Sequence, residues 1–159
     1  MSVLIKLSVD DVIRAAAVGF LREVESIKKG LVNKHGYKGK DEWETHIMGA
    51  LAELAVANYL GVPWNEGINT FSAPDIDPDI QVRCSKREYQ HRLTVRPKDK
   101  DNERFVLVNR MTNYNYELLG WILGKDAKHP DYAEDPGDRG SAYFVPFENL
   151  NDIKTLIIE

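Results

Sequence analysis

Residues 74–83 read Pro-Asp-Ile-Asp-Pro-Asp-Ile-Gln-Val-Arg, a run that concentrates acids, an amide and a cation within ten positions. Read as a strand, the segment puts Asp79, Gln81 and Arg83 on one face and Ile80, Val82 and Cys84 on the other. Asp75 precedes this row across a turn at Asp77-Pro78. Hard divalent cations take oxygen ligands, and Mg²⁺ is commonly held by one or two carboxylates together with phosphate oxygens and water. A neighbouring guanidinium stabilises charge that develops on a phosphate. The same residues also suit the solvated face of a half-buried strand. A second candidate is Glu53, set in the apolar stretch 47–60. On a helix its neighbours are Gly49, Ala50, Val56, Ala57 and Leu60, with His46 two turns back on the same strip. A carboxylate in such company is costly to bury without a partner. A salt bridge to another element, an edge position in water, or a metal site reached past the small residues would each account for it. His46 is placed to support Glu53 through a hydrogen bond rather than to ligate.

These groups need elements to position them. Residues 8–30 have apolar side chains at helical intervals, Val9, Val12, Ile13, Ala16, Phe20, Val24 and Ile27. Ser8 with Asp11 has the spacing of a capping box, and Lys28, Lys29 and Gly30 suit the far end. Residues 32–40 read as a linker. A second helix is expected over 42–60, capped by Asp41 with Glu44 and stopped by Gly61; apolar on nearly every side, it belongs between layers. Short strands are expected at 69–76, 79–85, 92–96, 105–109, 116–123 and 142–145, with 105–109 central. Residues 125–140 read as a long loop and 147–157 as a short closing helix. Two helices followed by several strands predict an α/β domain with helices packed on a sheet.

The pattern of a helix glutamate in GALAELAVANYLG, then Pro74-Asp75, then Gln81-Val82-Arg83 resembles the PD-(D/E)XK nuclease superfamily, and the order of helix before hairpin is that of its core. The text HIMGALAELAVANYLG, GWILGKDAKHPDY and GSAYFVP is similar to small phage-type members of that group, over roughly residues 43–150. The resemblance implies a restriction-endonuclease-like mixed β-sheet flanked by helices, a core like that of Holliday-junction resolvases, with the first helix as an addition. It implies one domain over 1–159, with 1–40 as helix and linker and 41–159 as core. It also implies a Mg²⁺- or Mn²⁺-dependent DNA endonuclease, with metal held by Glu53, Asp75, Asp79 and Gln81 and the scissile phosphate steadied by Arg83. Gln81 stands where the superfamily has an acid, Arg83 where it has lysine, and arginine does not serve as a proton-transfer base. Lys86 is the nearest lysine. The spacing from Asp75 to Gln81 is short, which leaves Asp79 open as the ligand, and the long helix usual between the third and fourth strands is not legible. A nuclease fold without catalysis, acting as a nucleic-acid-binding or assembly module, is the alternative.

Arg83, Lys86, Arg87, Arg92 and Arg96 lie close in sequence, with Lys98, Tyr89 and His91 among them, and suit phosphate neutralisation and base stacking as well as a charged sheet edge. The chain as a whole carries a net charge of -4, unlike a dedicated nucleic-acid binder. One cysteine excludes an internal disulfide framework and points to a reducing compartment. No long apolar stretch or leader pattern opens the sequence, so a host-cytoplasmic protein without a membrane partner is expected. The apolar stripe of the first helix suits its own core or a second copy in a homodimer.

Overall fold

A computed structural model describes residues 2–30, 42–68, 73–85, 91–137 and 140–159. In chain order it contains β1 (Val3–Lys6), α1 (Val9–Lys28), α2 (Glu42–Leu60), β2 (Ile80–Ser85), β3 (Arg92–Val95), β4 (Arg104–Arg110), β5 (Asn115–Leu123), α3 (Gly124–Ala127), β6 (Ala133–Glu134) and β7 (Ala142–Pro146). The expected α/β class holds, but the strands form two sheets. The first has the order β1-β5-β4-β2 and the second β3-β7-β6.

The capping box at the start of α1 is present. The Ser8 hydroxyl accepts from the Asp11 N–H at 3.1 Å, and the Asp11 carboxylate accepts from the Ser8 N–H at 3.3 Å. Gly61 ends α2 at φ +68°, the left-handed conformation glycine adopts cheaply. Asp41, the proposed cap of α2, lies outside the described residues. The two helices pack at a point of unusually close approach. A Cβ on Gly19 would stand 2.5 Å from the Ile47 Cα, so only glycine lets the backbones meet there.

β2 and β4 run parallel, Ile80 opposite Arg104 through Ser85 opposite Asn109. A parallel pair needs a crossover, and here the crossover passes through β3, a strand of the second sheet, where the superfamily pattern has a helix. β4 lies between β2 and β5 and is buried from Phe105 to Asn109. Val106 and Val108 face a core shared with the helices. Phe105 and Leu107 face a second core shared with Leu93, Val95 and Val145 of the other sheet. The central-strand expectation for 105–109 therefore holds, and the unbroken apolar run is explained by cores on both faces.

Other expectations are corrected. Within 69–76, residues 69–72 lie outside the described set, and the remainder forms no strand but a single bridge between Ile76 and Ile80 across the Asp77-Pro78 turn. Residues 125–140 are not one long loop. They include most of α3, a 3₁₀ turn at Pro130–Tyr132 and β6, because β7 offers an edge for pairing. The closing helix over 147–157 is replaced by two 3₁₀ turns, Phe147–Asn149 and Ile153–Thr155. Between them Asn151 pairs with Trp121 as an isolated bridge, which competes with helix formation. β1 is an added strand, paired antiparallel with β5. Among the described residues no helix is long and apolar enough to cross a membrane.

Candidate functional site

Glu53 sits in the middle of α2 and is buried, 6% exposed. Its partner comes from α1. Arg22 donates from both Nη atoms to the two carboxylate oxygens of Glu53, each at 2.8 Å, and from Nε to the Gly67 carbonyl at 2.7 Å. Trp64 Nε1 donates to Glu53 Oε2 at 2.9 Å, and the Arg22 guanidinium lies 6.0 Å from the Trp64 ring centroid. The salt-bridge explanation for a buried Glu53 is therefore the arrangement seen. It depends on Gly19, one helical turn before Arg22, because the close crossing brings the guanidinium within reach.

Asp75 lies in the turn before β2, an edge strand of the first sheet. Its Oδ2 accepts from the Val82 N–H at 2.7 Å. Burial pushes its carboxyl up to about 6, and the negative charge of Glu53 adds to the rise. The Val82 N–H, Arg83 and Arg22 pull the other way. Glu53 and Asp75 are thus electrostatic neighbours, with Arg22 and Arg83 acting on the same carboxyl.

The remaining predicted residues divide. Ile80 and Val82 face the helices, which places Gln81 and Arg83 on the opposite face of β2. There the Arg83 guanidinium lies 5.1 Å from the Phe105 ring centroid and donates to Asp99 Oδ2 at 3.3 Å. Asp99 is held in turn by the Arg96 N–H at 2.8 Å. Glu53 therefore approaches β2 from the helix side while Arg83 approaches from the other side, and Asp75 at the strand edge senses both. Asp79 is drawn away into a two-toothed pair with Arg104, whose Nε donates to Asp79 Oδ2 at 2.8 Å. The Arg104 N–H also donates to the Asp79 carbonyl at 2.9 Å, so this pair clamps the start of β2 to β4. His46 pairs with buried Glu23 at 3.1 Å rather than standing by Glu53.

The basic strip is also divided. Arg83 belongs to the first sheet, while Arg92 and the neighbouring Arg96 belong to the region of β3 in the second. Arg92 is paired with Glu134 at 2.7 Å and lies over the Phe144 ring. Lys86 and Arg87 lie outside the described residues. Cys84 is half-buried, and burial pushes its thiol up to about 12.

Among the described residues no group of three or more His, Cys, Asp or Glu side chains is gathered as a metal cage. The pair Glu53 and Asp75 nevertheless has the donor chemistry of a hard cation site, two carboxylates of which Asp75 resists ionisation through burial first and the charge of Glu53 second. Sequence reasoning missed Arg22, Trp64, Asp99 and Arg104. The one available signal was Gly19, a glycine inside an otherwise strong helix one turn from an arginine. Comparison with known proteins returns no match: no family model fits the chain, and no curated protein or solved structure is significantly similar to it.

Proposed function

We propose that this chain has a restriction-endonuclease-like core and acts as a Mg²⁺- or Mn²⁺-dependent nuclease on DNA. The observation that carries the reading is the electrostatic coupling of Glu53, on α2, to Asp75, in the turn before the edge strand β2, where burial first and the Glu53 charge second raise the Asp75 carboxyl to about 6. The order of α2, turn and β2, with a later strand parallel to β2, supports the fold half of the proposal. Glu53 and Asp75 would hold the cation, and Asp79, committed to Arg104, would not. When bound, such a cation polarises the phosphate and lowers the pKa of water. Arg22 neutralises Glu53 otherwise. Arg83, held by Phe105 and Asp99 on the opposite face of β2, keeps its positive charge at any working pH and acts on Asp75 at the strand edge. Cleavage of plasmid and branched DNA with Mg²⁺ or Mn²⁺ tests the reading, with Glu53→Gln and Asp75→Asn expected to abolish it. Cleavage that survives both substitutions overturns the site.

A second reading, a nuclease fold without hydrolysis serving as a binding or assembly module, is favoured by the Arg22 clamp, which occupies both oxygens of Glu53. It predicts no cleavage and no thermal stabilisation by millimolar Mg²⁺ or Mn²⁺, whereas a functional cation site raises stability through linkage.

A further inference from the structure

The outer face of α1 is apolar and uncovered among the described residues. Val9 is 76% exposed, Ile13 62%, Phe20 51%, Leu21 45% and Ile27 60%. Trp43, in the first turn of α2, stacks on Phe20 with ring centroids 5.1 Å apart and widens the same patch. Scattered single apolar residues are ordinary on a surface, but a contiguous stripe along a 20-residue helix is the kind of patch that marks an interface. The inner face of the helix is already used: Ala15, Val18, Gly19 and Glu23 are buried.

We propose that this face binds a second copy of the chain, through antiparallel packing of the two α1 helices. Two features argue for that occupant. The stripe is symmetric end to end, with the exposed Ile13 and Ile27 seven residues on either side of the exposed aromatic Phe20. A two-fold interface requires such a surface, since it must complement itself. The charges are complementary in the same sense. Asp10 lies in the first turn and Lys28 in the last, so antiparallel pairing brings acid of one protomer to base of the other at both ends. Parallel pairing would set Asp10 against Asp10 and Lys28 against Lys28. The helix dipoles also favour the antiparallel arrangement.

Sedimentation equilibrium of the full chain from about 1 to about 200 µM, a range that brackets micromolar affinity, tests the proposal. The expected result is a shift from the 18.1 kDa monomer to twice that mass. Ile13→Glu and Phe20→Glu should each keep the chain monomeric across the range with an unchanged circular dichroism spectrum. If Phe20→Glu alters folding through loss of the Trp43 contact, Ile13→Glu carries the test by itself. Asp10→Lys and Lys28→Asp should each weaken self-association, by about tenfold as for a change of about 1.4 kcal/mol, and an equimolar mixture of the two should restore it. A monomer at every concentration overturns the proposal, as it would if the 31–41 segment or another protein covers this face. A dimer that survives Ile13→Glu and Phe20→Glu overturns the choice of surface. A dimer that both substitutions abolish but charge reversal leaves untouched overturns the antiparallel arrangement.

Discussion

Replacing Asp75 by asparagine should change the pH dependence of stability in a direction opposite to that usual for an acid. Folding raises the Asp75 carboxyl from 3.8 to about 6, through burial first and the charge of Glu53 second. Between those two values the native protein keeps a proton that the unfolded chain has released, so stability falls as pH rises through that window. At about 1.4 kcal/mol for each tenfold change in proton affinity, the whole loss amounts to about 3 kcal/mol. Roughly half of it, on the order of 1 kcal/mol, falls between pH 5 and pH 8, because the unfolded chain has already ionised by pH 5. Asparagine keeps an acceptor for the Val82 N–H, which now donates to Asp75 at 2.7 Å, and does not titrate. Urea unfolding of both proteins at pH 5 and pH 8 isolates the term, since other titrating groups are common to the two. Asp75→Asn should gain on the order of 1 kcal/mol relative to the parent on going from pH 5 to pH 8. Parallel stability curves over that interval would refute the claim that Asp75 is held against its ionisation by its surroundings.

Arg22→Met should cost about 3–5 kcal/mol, because it strands the buried Glu53 charge, while Arg22→Met with Glu53→Leu should recover most of that loss in a double-mutant cycle read by urea unfolding. Gly19→Ala should destabilise by at least about 1–3 kcal/mol, since its methyl meets the Ile47 backbone and the gain in helix propensity, about 1 kcal/mol, does not compensate; the urea midpoint reports it. The Cys84 thiol, raised to about 12 by burial, should react with a maleimide or disulfide reagent at pH 8 far more slowly than in the urea-unfolded chain, and equal rates would contradict its placement.

The sequence patterns reveal the helices well and the edges of the molecule poorly, for physical reasons that differ by element. α1 is legible because its cap, apolar period and terminal charges agree. β4 is legible because an apolar run of that length suits a strand with a core on both faces. β1 carries only four residues, too few for a period, and its strand state comes entirely from pairing with β5. The apolar tail after β7 has amphipathic spacing, but Asn151 bonds to Trp121 and the tail closes only two short 3₁₀ turns of its own. For the candidate site, the helix half was readable because a carboxylate among alanines demands a partner. Which partner it has was not readable, since Arg22 lies 31 positions away and reaches Glu53 only through the helix crossing. The division of Asp79 from Asp75 was hidden for a similar reason. Strand alternation places side chains on faces but says nothing of Arg104, whose position is set by the parallel register of β2 and β4.

The pairing of β1 with β5 has a consequence for how the chain is made. Val3 lies opposite Leu118, 115 positions later. Closing a loop of that length costs about 3 kcal/mol more entropy than closing a hairpin of ~4 residues. β1 is synthesised before the other described strands and has no ladder to join until β5 has followed it. At typical elongation rates of about 5–20 residues per second, its backbone donors and acceptors wait for seconds. Lys6 within the strand and the charged start of α1 keep that waiting segment from being a purely apolar edge. β5, by contrast, can pair with β4 as soon as the short turn between them is made. Loop-closure cost alone therefore favours growth of the first sheet from β4 and β5 outward, with the β1 edge the costliest to close.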